Sequence, residues 1–109
     1  VLNISLAPGS DGMAMRHAYE TQVFPRLEAF QPNLIIVSAG FDAHQADPLA
    51  DLNWSTDDFG WLSERLCALA AQLCAGRLIS TLEGGYDLDA LAAACEAHVN
   101  ALIECAPAT

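Results

Sequence analysis

Hydrophobic residues follow two alternating patterns along this chain, and their order predicts a β-α-β-α-β-α arrangement. Short β-forming runs lie at 1–6, 34–37 and 78–82, and each is followed by a segment with apolar residues at helical spacing. This alternation is typical of a parallel sheet with right-handed crossovers, so we expect an α/β fold. The run LIIV at 34–37 is apolar at every position, which predicts a strand buried on both faces.

Three helices are expected around these strands. The first covers 13–30, and Pro25 should kink or split it near 21–24 because proline lacks a backbone donor. The second should begin after Ser55 and end at Gly76, and the third should run from Asp87 to about 103. The predicted buried stripes are Met15, Tyr19, Val23, Leu27 and Phe30, then Phe59, Leu62, Leu66, Leu69 and Leu73, then Leu88, Leu91, Ala92, Cys95, Val99 and Leu102.

Composition narrows the class of protein. The 109 residues suffice for one small domain, and a net charge of −10 argues against binding to nucleic acid or an anionic membrane. No segment has the character of a membrane span or a signal peptide, which favours a cytoplasmic protein. Four cysteines without a C-x-x-C pattern are interpreted as small buried hydrophobes in a reducing compartment. The opening VLNISL has no initiator Met, so we expect a piece of a longer protein.

Polar residues with chemical potential follow two of the predicted strands. Asp42, His44 and Asp47 come after the first of them, and the turn 83–86, ending in Tyr86, comes after the second. Ligands in parallel sheets bind beyond the carboxyl ends of the strands. A carboxylate there can ligate a cation, and a tyrosine hydroxyl can stabilise an oxyanion. The glycines Gly84 and Gly85 would let the backbone approach a ligand closely.

Simpler interpretations remain open for the same residues. Asp47 precedes a proline and could be a turn residue, His44 could be an exposed loop histidine, and the glycine pair could be a tight turn. His17 and His98 lie in predicted helices and are expected to be surface or packing residues. A catalytic zinc usually needs three protein ligands, and the spacing supplies only Asp42 with His44 from one loop.

Two blocks of sequence together resemble the carboxy-terminal part of the histone deacetylase family. These are SAGFDAHQADPLA at 38–50 and LEGGYDL at 82–88, supported by NISLAPGSDG at 3–12 and VFPRLEAFQPNLIIVSAGFDA at 23–43. The similarity is strongest to bacterial class II-like members, which include acetylpolyamine amidohydrolases and acetoin-utilisation proteins. It implies a three-layer α/β/α fold with eight parallel strands, of which residues 1–109 would be an incomplete, C-terminal part.

The resemblance also implies roles for individual residues. Asp42 corresponds to a zinc ligand of the family and Tyr86 to its catalytic tyrosine. Gly84 and Gly85 correspond to the lining of the acyl-lysine channel, and Leu49 to its rim. The position of Asp47 suggests a structural role behind the site. His44 lies at a variable position and receives no role.

The implied activity is hydrolysis of N-acetyl amides on lysine or a polyamine, with Zn²⁺ or alternatively Fe²⁺ as the metal. The family's tandem histidines and its D-x-H ligands are absent, so the isolated chain is expected to bind zinc weakly and to be inactive. Exposed sheet edges should make it self-associate. The alternatives are a non-catalytic α/β interaction module or degenerate remnant, and, with less support, a flavodoxin-like anion binder.

Overall fold

Two parallel strands and a set of packed helices make up the fold in a computed structural model that describes residues 1–106. Strands β1 (Ile35–Ala39) and β2 (Leu78–Leu82) pair from Ile35 opposite Leu78 to Ala39 opposite Leu82. The helices are α1 (Gly12–Ala18), α2 (Phe24–Phe30), α3 (Thr56–Cys74) and α4 (Leu88–Cys105), with a π-helical segment (Tyr19–Val23) joining α1 to α2. The α/β class and the parallel pairing are confirmed.

The helices of the described chain cover one face of the sheet. Ile35 packs against α3, and Ala39 packs in a cluster that includes residues of both α3 and α4. On the other face Ile36 is 65% exposed and the adjacent Ile79 is 55% exposed. The prediction of a strand buried on both faces is therefore wrong for these residues. Residues 1–106 contain the sheet and one helical layer of the expected three-layer arrangement.

The predicted strand at 1–6 does not form. Within residues 1–106 the sheet has only two strands, which pair with each other, so this segment has no hydrogen-bonding partner strand. Its apolar side chains Leu2, Ile4 and Leu6 instead line a cavity of about 570 Å³ beside Met15. The apolar pattern therefore marks side chains that face this cavity, and strand pairing cannot be inferred from it.

The expected interruption near Pro25 is present as a wide helical turn. The Phe24 backbone N–H donates to the Tyr19 carbonyl. This hydrogen bond joins residues five positions apart, which defines a π turn. Pro25 then lies in the first turn of α2, where its missing N–H costs little. The wide turn shifts the helical phase, so Phe24 is buried while Phe30 is 78% exposed. The predicted stripe is wrong at Phe30 for this reason.

Helix α3 agrees with its prediction at both ends. The Ser55 side chain accepts from the Asp58 backbone N–H, and the Asp58 carboxylate accepts from the Ser55 backbone N–H, which is a capping box. At the other end Ala75 and Gly76 have positive φ values of 55° and 77°. All five predicted stripe residues are buried or half-buried.

Helix α4 begins where expected, but its predicted stripe is only partly confirmed: Leu91, Cys95 and Leu102 are half-buried, whereas Leu88, Ala92 and Val99 are exposed. The Asp87 side chain accepts from the Ala90 backbone N–H at 2.9 Å. The buried residues are Ala90, Ala94, His98 and Ala101, whereas Leu88 is 77% exposed. Small residues allow the two long helices to approach, since a Cβ on Gly60 would lie 3.8 Å from that of Ala97. No helix within residues 1–106 is long and apolar enough to cross a membrane.

His98 is a buried packing histidine with both ring nitrogens engaged. Its Nδ1 lies 2.7 Å from the Ser63 hydroxyl and its Nε2 lies 2.8 Å from the Ser80 hydroxyl. Ser63 donates to the Phe59 carbonyl, so it accepts from Nδ1–H, and Ser80 donates to Nε2. Burial lowers the pKa of His98 because it disfavours the charged ring. By contrast, His17 lies exposed on α1.

The four cysteines are free thiols in different environments. Cys67 and Cys74 are buried, as the sequence predicts, and Cys95 is half-buried. Cys105, at the end of α4, is exposed, so its interpretation as a buried hydrophobe is wrong.

Candidate functional site

The loops that follow β1 and β2 begin at the same edge of the sheet. Beyond the last strand pair, the Phe41 N–H donates to the Gly84 carbonyl at 2.7 Å, and the Glu83 N–H donates to the Ala39 carbonyl at 3.0 Å. These bonds extend the parallel pairing into the loops. The two sequence blocks are therefore in direct contact, as expected for a ligand site at the carboxyl ends of neighbouring strands.

Asp42 lies half-buried against the glycine of the second loop. A Cβ built on Gly84 would lie 2.9 Å from the Asp42 carboxylate, closer than side chains normally approach. A Cβ on Gly40 would lie 3.1 Å from the same carboxylate. The two glycines thus leave the space that the carboxylate occupies. The role of Gly40 was not predicted, although its place two residues before Asp42 was visible in the sequence.

Asp47 joins the two loops through backbone hydrogen bonds. Its Oδ2 accepts from the N–H groups of Tyr86 at 2.7 Å and Asp87 at 3.0 Å, and its Oδ1 accepts from Leu49 N–H at 3.0 Å. Burial acts to raise the pKa of this carboxyl, but the three N–H donors and the nearby His44 outweigh it and lower the pKa. Asp47 is therefore an ionised anchor between positions 39 residues apart.

His44 is buried and fully engaged within its own loop. Its Nδ1 accepts from the Ala46 N–H at 3.1 Å, so Nε2 carries the proton and donates to Thr56 Oγ1 at 3.0 Å. The ring stacks on Phe59 with an interplanar angle of 2°. The interpretation of His44 as an exposed loop histidine, one of those left open by the sequence, is wrong. With both nitrogens occupied, His44 organises the loop and has no free ligand atom.

Tyr86 and Leu49 are held by their backbones while their side chains point outward. Tyr86 is 60% exposed and Leu49 is 64% exposed. Between Gly84 and Tyr86, Gly85 has φ +148°, and a Cβ there would lie 2.7 Å from Leu91. Gly85 therefore lets the turn pass over the start of α4, and the Tyr86 phenol remains available to a ligand.

One further polar contact strengthens the strand ends. Ser38 Oγ donates to Glu83 Oε1 at 3.1 Å across the two strands. This contact of Ser38 was not predicted, although the serine directly follows the four apolar residues of the strand.

The fit of this site to a metal ion is partial. Asp42 offers a carboxylate in a glycine-lined cradle, which suits a hard or borderline cation. Within residues 1–106 no group of three or more His, Cys, Asp or Glu side chains is arranged to hold a metal. The described residues therefore supply one candidate ligand and not a complete metal site.

The structure has an α/β fold with a candidate ligand site at two adjacent strand-end loops. The family model of the histone deacetylase domain matches residues 1–102, so the chain belongs to the histone deacetylase family. This family acts on acetylated substrates and is generally metal-dependent.

Individual relatives agree with this assignment. The chain is 47% identical over 90 residues to "Histone deacetylase 10, chloroplastic" of Oryza sativa, covering 83% of this chain and 20% of that protein. It is 40% identical over 85 residues to "Histone deacetylase-like amidohydrolase" of Pseudomonas aeruginosa, covering 78% and 22%. The solved HDA15 HD domain superposes with a TM-score of 0.78 at 30% identity, covering 94% of this chain and 28% of that one. The chain thus spans about a fifth of the length of these curated relatives.

Proposed function

We propose that this chain forms the part of a metal-dependent deacetylase-type amidohydrolase that supplies one metal ligand, Asp42, and the catalytic tyrosine, Tyr86. The observation that carries the proposal is the joining of the two loops at one edge of the sheet. Gly84 faces the Asp42 carboxylate, and Asp47 holds the Tyr86 backbone. The family assignment supports the same roles.

The proposed substrates are N-acetyl amides of lysine or a polyamine. Asp42 would be one ligand of a Zn²⁺ or Fe²⁺ ion, and such an ion would supply polarisation of a carbonyl and a lower pKa of water. The exposed Tyr86 hydroxyl donates a hydrogen bond to the oxyanion that forms on the acetyl carbonyl. Gly84 and Gly85 line the approach to the amide, and Leu49 lies at its rim. Asp47 acts as a positioning residue because it contacts the backbone that carries Tyr86.

The isolated chain is proposed to bind zinc weakly and to lack deacetylase activity, because one carboxylate does not make a complete site. Elemental analysis of the purified chain after dialysis against zinc tests this point. We expect far less than one zinc per chain, and no hydrolysis of acetyl-lysine. Near-stoichiometric zinc together with turnover would contradict the proposal.

The proposed roles can be tested in a chimera in which this chain replaces the corresponding segment of the Pseudomonas aeruginosa amidohydrolase. We expect the chimera to hydrolyse an acetyl-lysine substrate and Tyr86→Phe to lower kcat by about a hundredfold or more, since it removes one oxyanion donor. Asp42→Asn should lower both zinc content and activity. Asp51→Asn, at an exposed aspartate of the same loop, is the matched control and should leave both unchanged.

The alternative is a non-catalytic α/β interaction module or degenerate remnant of the family. A chimera that folds and binds zinc but is inactive would support this alternative. Activity that depends on Tyr86 supports the enzyme.

Two further proposals concern partners and location. We propose that the isolated chain self-associates through its open sheet, because Ile36 and Ile79 leave an apolar face exposed. The net charge of −10 argues against nucleic-acid and membrane partners.

A cytoplasmic location is proposed on the sequence alone, in which no segment has the character of a membrane span or a signal peptide.

A further inference from the structure

Helices α3 and α4 run side by side with their contacts advancing in step. Gly60 faces Ala97, Ser63 bonds to His98, and the Cys67 thiol donates to the Ala101 carbonyl at 3.9 Å. From one contact to the next, the residue numbers rise along both helices, so α3 and α4 run parallel. In an α-helix the Ala101 carbonyl also accepts the backbone N–H of Cys105, so the thiol of Cys67, which reaches the same carbonyl, lies at the last turn of α4.

Cys105 is the residue that this turn brings toward Cys67. It lies four positions after Ala101, and residues at this spacing share one face of a helix. Side chains on a helix lean toward its N-terminus, which directs the Cys105 thiol back toward Ala101 and hence toward Cys67. Cys67 is 6% exposed, whereas Cys105 is exposed.

The surroundings of Cys67 keep its thiol protonated. Burial, together with a hydrogen bond to the Cys105 thiol, raises the pKa of Cys67 to about 11. A buried thiol with a raised pKa reacts poorly with an oxidant, while an exposed thiol is accessible. The pair therefore contains one thiol that can meet an oxidant and one that cannot.

We propose that Cys67 and Cys105 are an oxidation site that closes to a reversible intramolecular disulfide when a peroxide oxidises Cys105. The Cys105 thiolate attacks one peroxide oxygen, the O–O bond breaks, and a sulfenic acid forms; the hydroxide that leaves takes up the proton lost by the Cys105 thiol, which makes one water. The Cys67 sulfur then attacks the Cys105 sulfur. The S–S bond forms, the S–O bond breaks, and the leaving hydroxide takes the Cys67 proton as a second water. Two thiols are oxidised, the peroxide is reduced, and a dithiol reductant reverses the change.

The attack of Cys67 on the oxidised Cys105 is slower than the reaction with peroxide, because little of Cys67 is thiolate at neutral pH. The Cys105 sulfenic acid should therefore persist long enough for dimedone to trap it. Closing the disulfide fixes the end of α4 on α3 and restricts the unfolded chain between 67 and 105. The oxidised chain should melt several degrees higher than the reduced chain.

Thiol counting on the full chain tests the proposal. The reduced chain is treated with hydrogen peroxide, alkylated with iodoacetamide and weighed intact, with and without prior reduction. We expect two of the four thiols to become protected, the protein to remain a monomer on a non-reducing gel, and a reductant to restore all four. Peptide mapping should join Cys67 to Cys105.

Two serine variants complete the test. Cys105→Ser, at an exposed position that tolerates the change, should keep all three remaining thiols free and lose the redox-dependent rise in melting temperature. Cys95→Ser is the matched control on the same helix and should behave as wild type. The proposal is overturned if the wild-type chain keeps four free thiols, if the disulfide joins other cysteines or two chains, or if Cys105→Ser still loses two thiols.

Discussion

At the scale of single residues, Asp47 contributes most to the geometry of the strand-end loops. One carboxylate accepts three backbone N–H groups from two segments that are distant in sequence. Hydrogen bonds to an ionised acceptor are stronger than those between neutral groups. The position of Tyr86 therefore depends on the charge of Asp47 as well as on the fold of its own turn.

Replacing Asp47 tests this dependence. We expect Asp47→Asn to lower the melting temperature by several degrees at pH 7, because the amide accepts fewer and weaker hydrogen bonds. The folded-state pKa of Asp47 lies below its ordinary value of 3.8, so its contribution is present above that pH. The difference between variant and wild type should shrink as pH falls through the folded-state pKa. Thermal unfolding at several pH values measures it, with Asp51→Asn as a control; a difference that is independent of pH would contradict the prediction.

At the scale of elements, the π-helical segment decides which aromatic residue enters the core. Phe24 packs with Leu66 and Leu69 of α3, and its ring lies tilted by 41° against that of Trp61 with centroids 6.1 Å apart. Regular helical spacing through Val23 and Leu27 predicted instead that Phe30 would be buried. The extra residue in the wide turn accounts for the difference.

Alanine substitutions along this helix test the shift in phase. We expect Phe24→Ala to lower the free energy of unfolding by about 3–5 kcal/mol, the usual cost of emptying a buried phenylalanine site. Phe30→Ala, on the exposed side, should change it by less than about 0.5 kcal/mol. Denaturant titration gives both values. Equal effects at the two positions would show that the helix is regular in solution.

The hydrogen-bonded chain through His98 connects three elements: α3, α4 and β2. The groups that face the ring are the two serine hydroxyls and the edge of Phe41, none of which titrates near neutral pH. A proton on Nε2 would remove the acceptor that Ser80 uses. Protonation of His98 therefore opposes folding.

The pH dependence of stability tests this element. Because the folded-state pKa of His98 lies below its ordinary value of 6.5, its stabilising effect is complete above about pH 6.5 and is lost as pH falls toward the folded-state pKa. We expect the melting temperature to fall as the pH drops below about 6.5, and His98→Gln to flatten that slope. His17→Gln, at an exposed site, should keep the wild-type slope. An unchanged slope in His98→Gln would refute the assignment.

At the scale of the whole molecule, the sheet has helices on one face and solvent on the other. The edges of both strands and the pair Ile36 and Ile79 are therefore open in the described chain. Unpaired strands and exposed apolar faces are typical sites of association.

Sedimentation at several concentrations tests the proposed self-association. We expect dimers or larger species at micromolar concentration, and the double variant Ile36→Thr and Ile79→Thr should shift the chain toward monomer. Threonine keeps a strong strand preference, so the sheet should survive. Met13→Gln, at an apolar position that is 73% exposed on α1, controls for general surface hydrophobicity. A wild-type monomer with a cooperative melt would argue against association.

The parts of the fold that local signals specify were predictable from sequence. Ser55 and Gly76 marked the ends of α3, and the run Leu78–Leu82 matched β2 at both ends. The segment 1–6 could not be assigned correctly, because a strand requires a partner that local sequence does not reveal. In α4 both the leucines and the alanines recur at helical spacing, and only the close approach of α3 selects the alanine face.

The candidate site, like the fold, could be predicted from the sequence only in part. Its position and the contact between its two loops followed from the order of strands and from the parallel pairing. The link from Asp47 to Tyr86 and the burial of His44 did not, because both depend on the folded path of the loop between β1 and α3.

The hydrogen bonds to Asp47 come from the main chain at Leu49 and Tyr86, and not from their side chains. Every amino acid except proline carries the same N–H group. The backbone hydrogen bonds that hold the loops in this frame therefore do not depend on which side chains the loops carry. Mutation could therefore alter residue 49, and with it the surface offered to incoming molecules, while the frame stays intact. Such an arrangement allows selectivity to drift over evolution without a matching loss of stability.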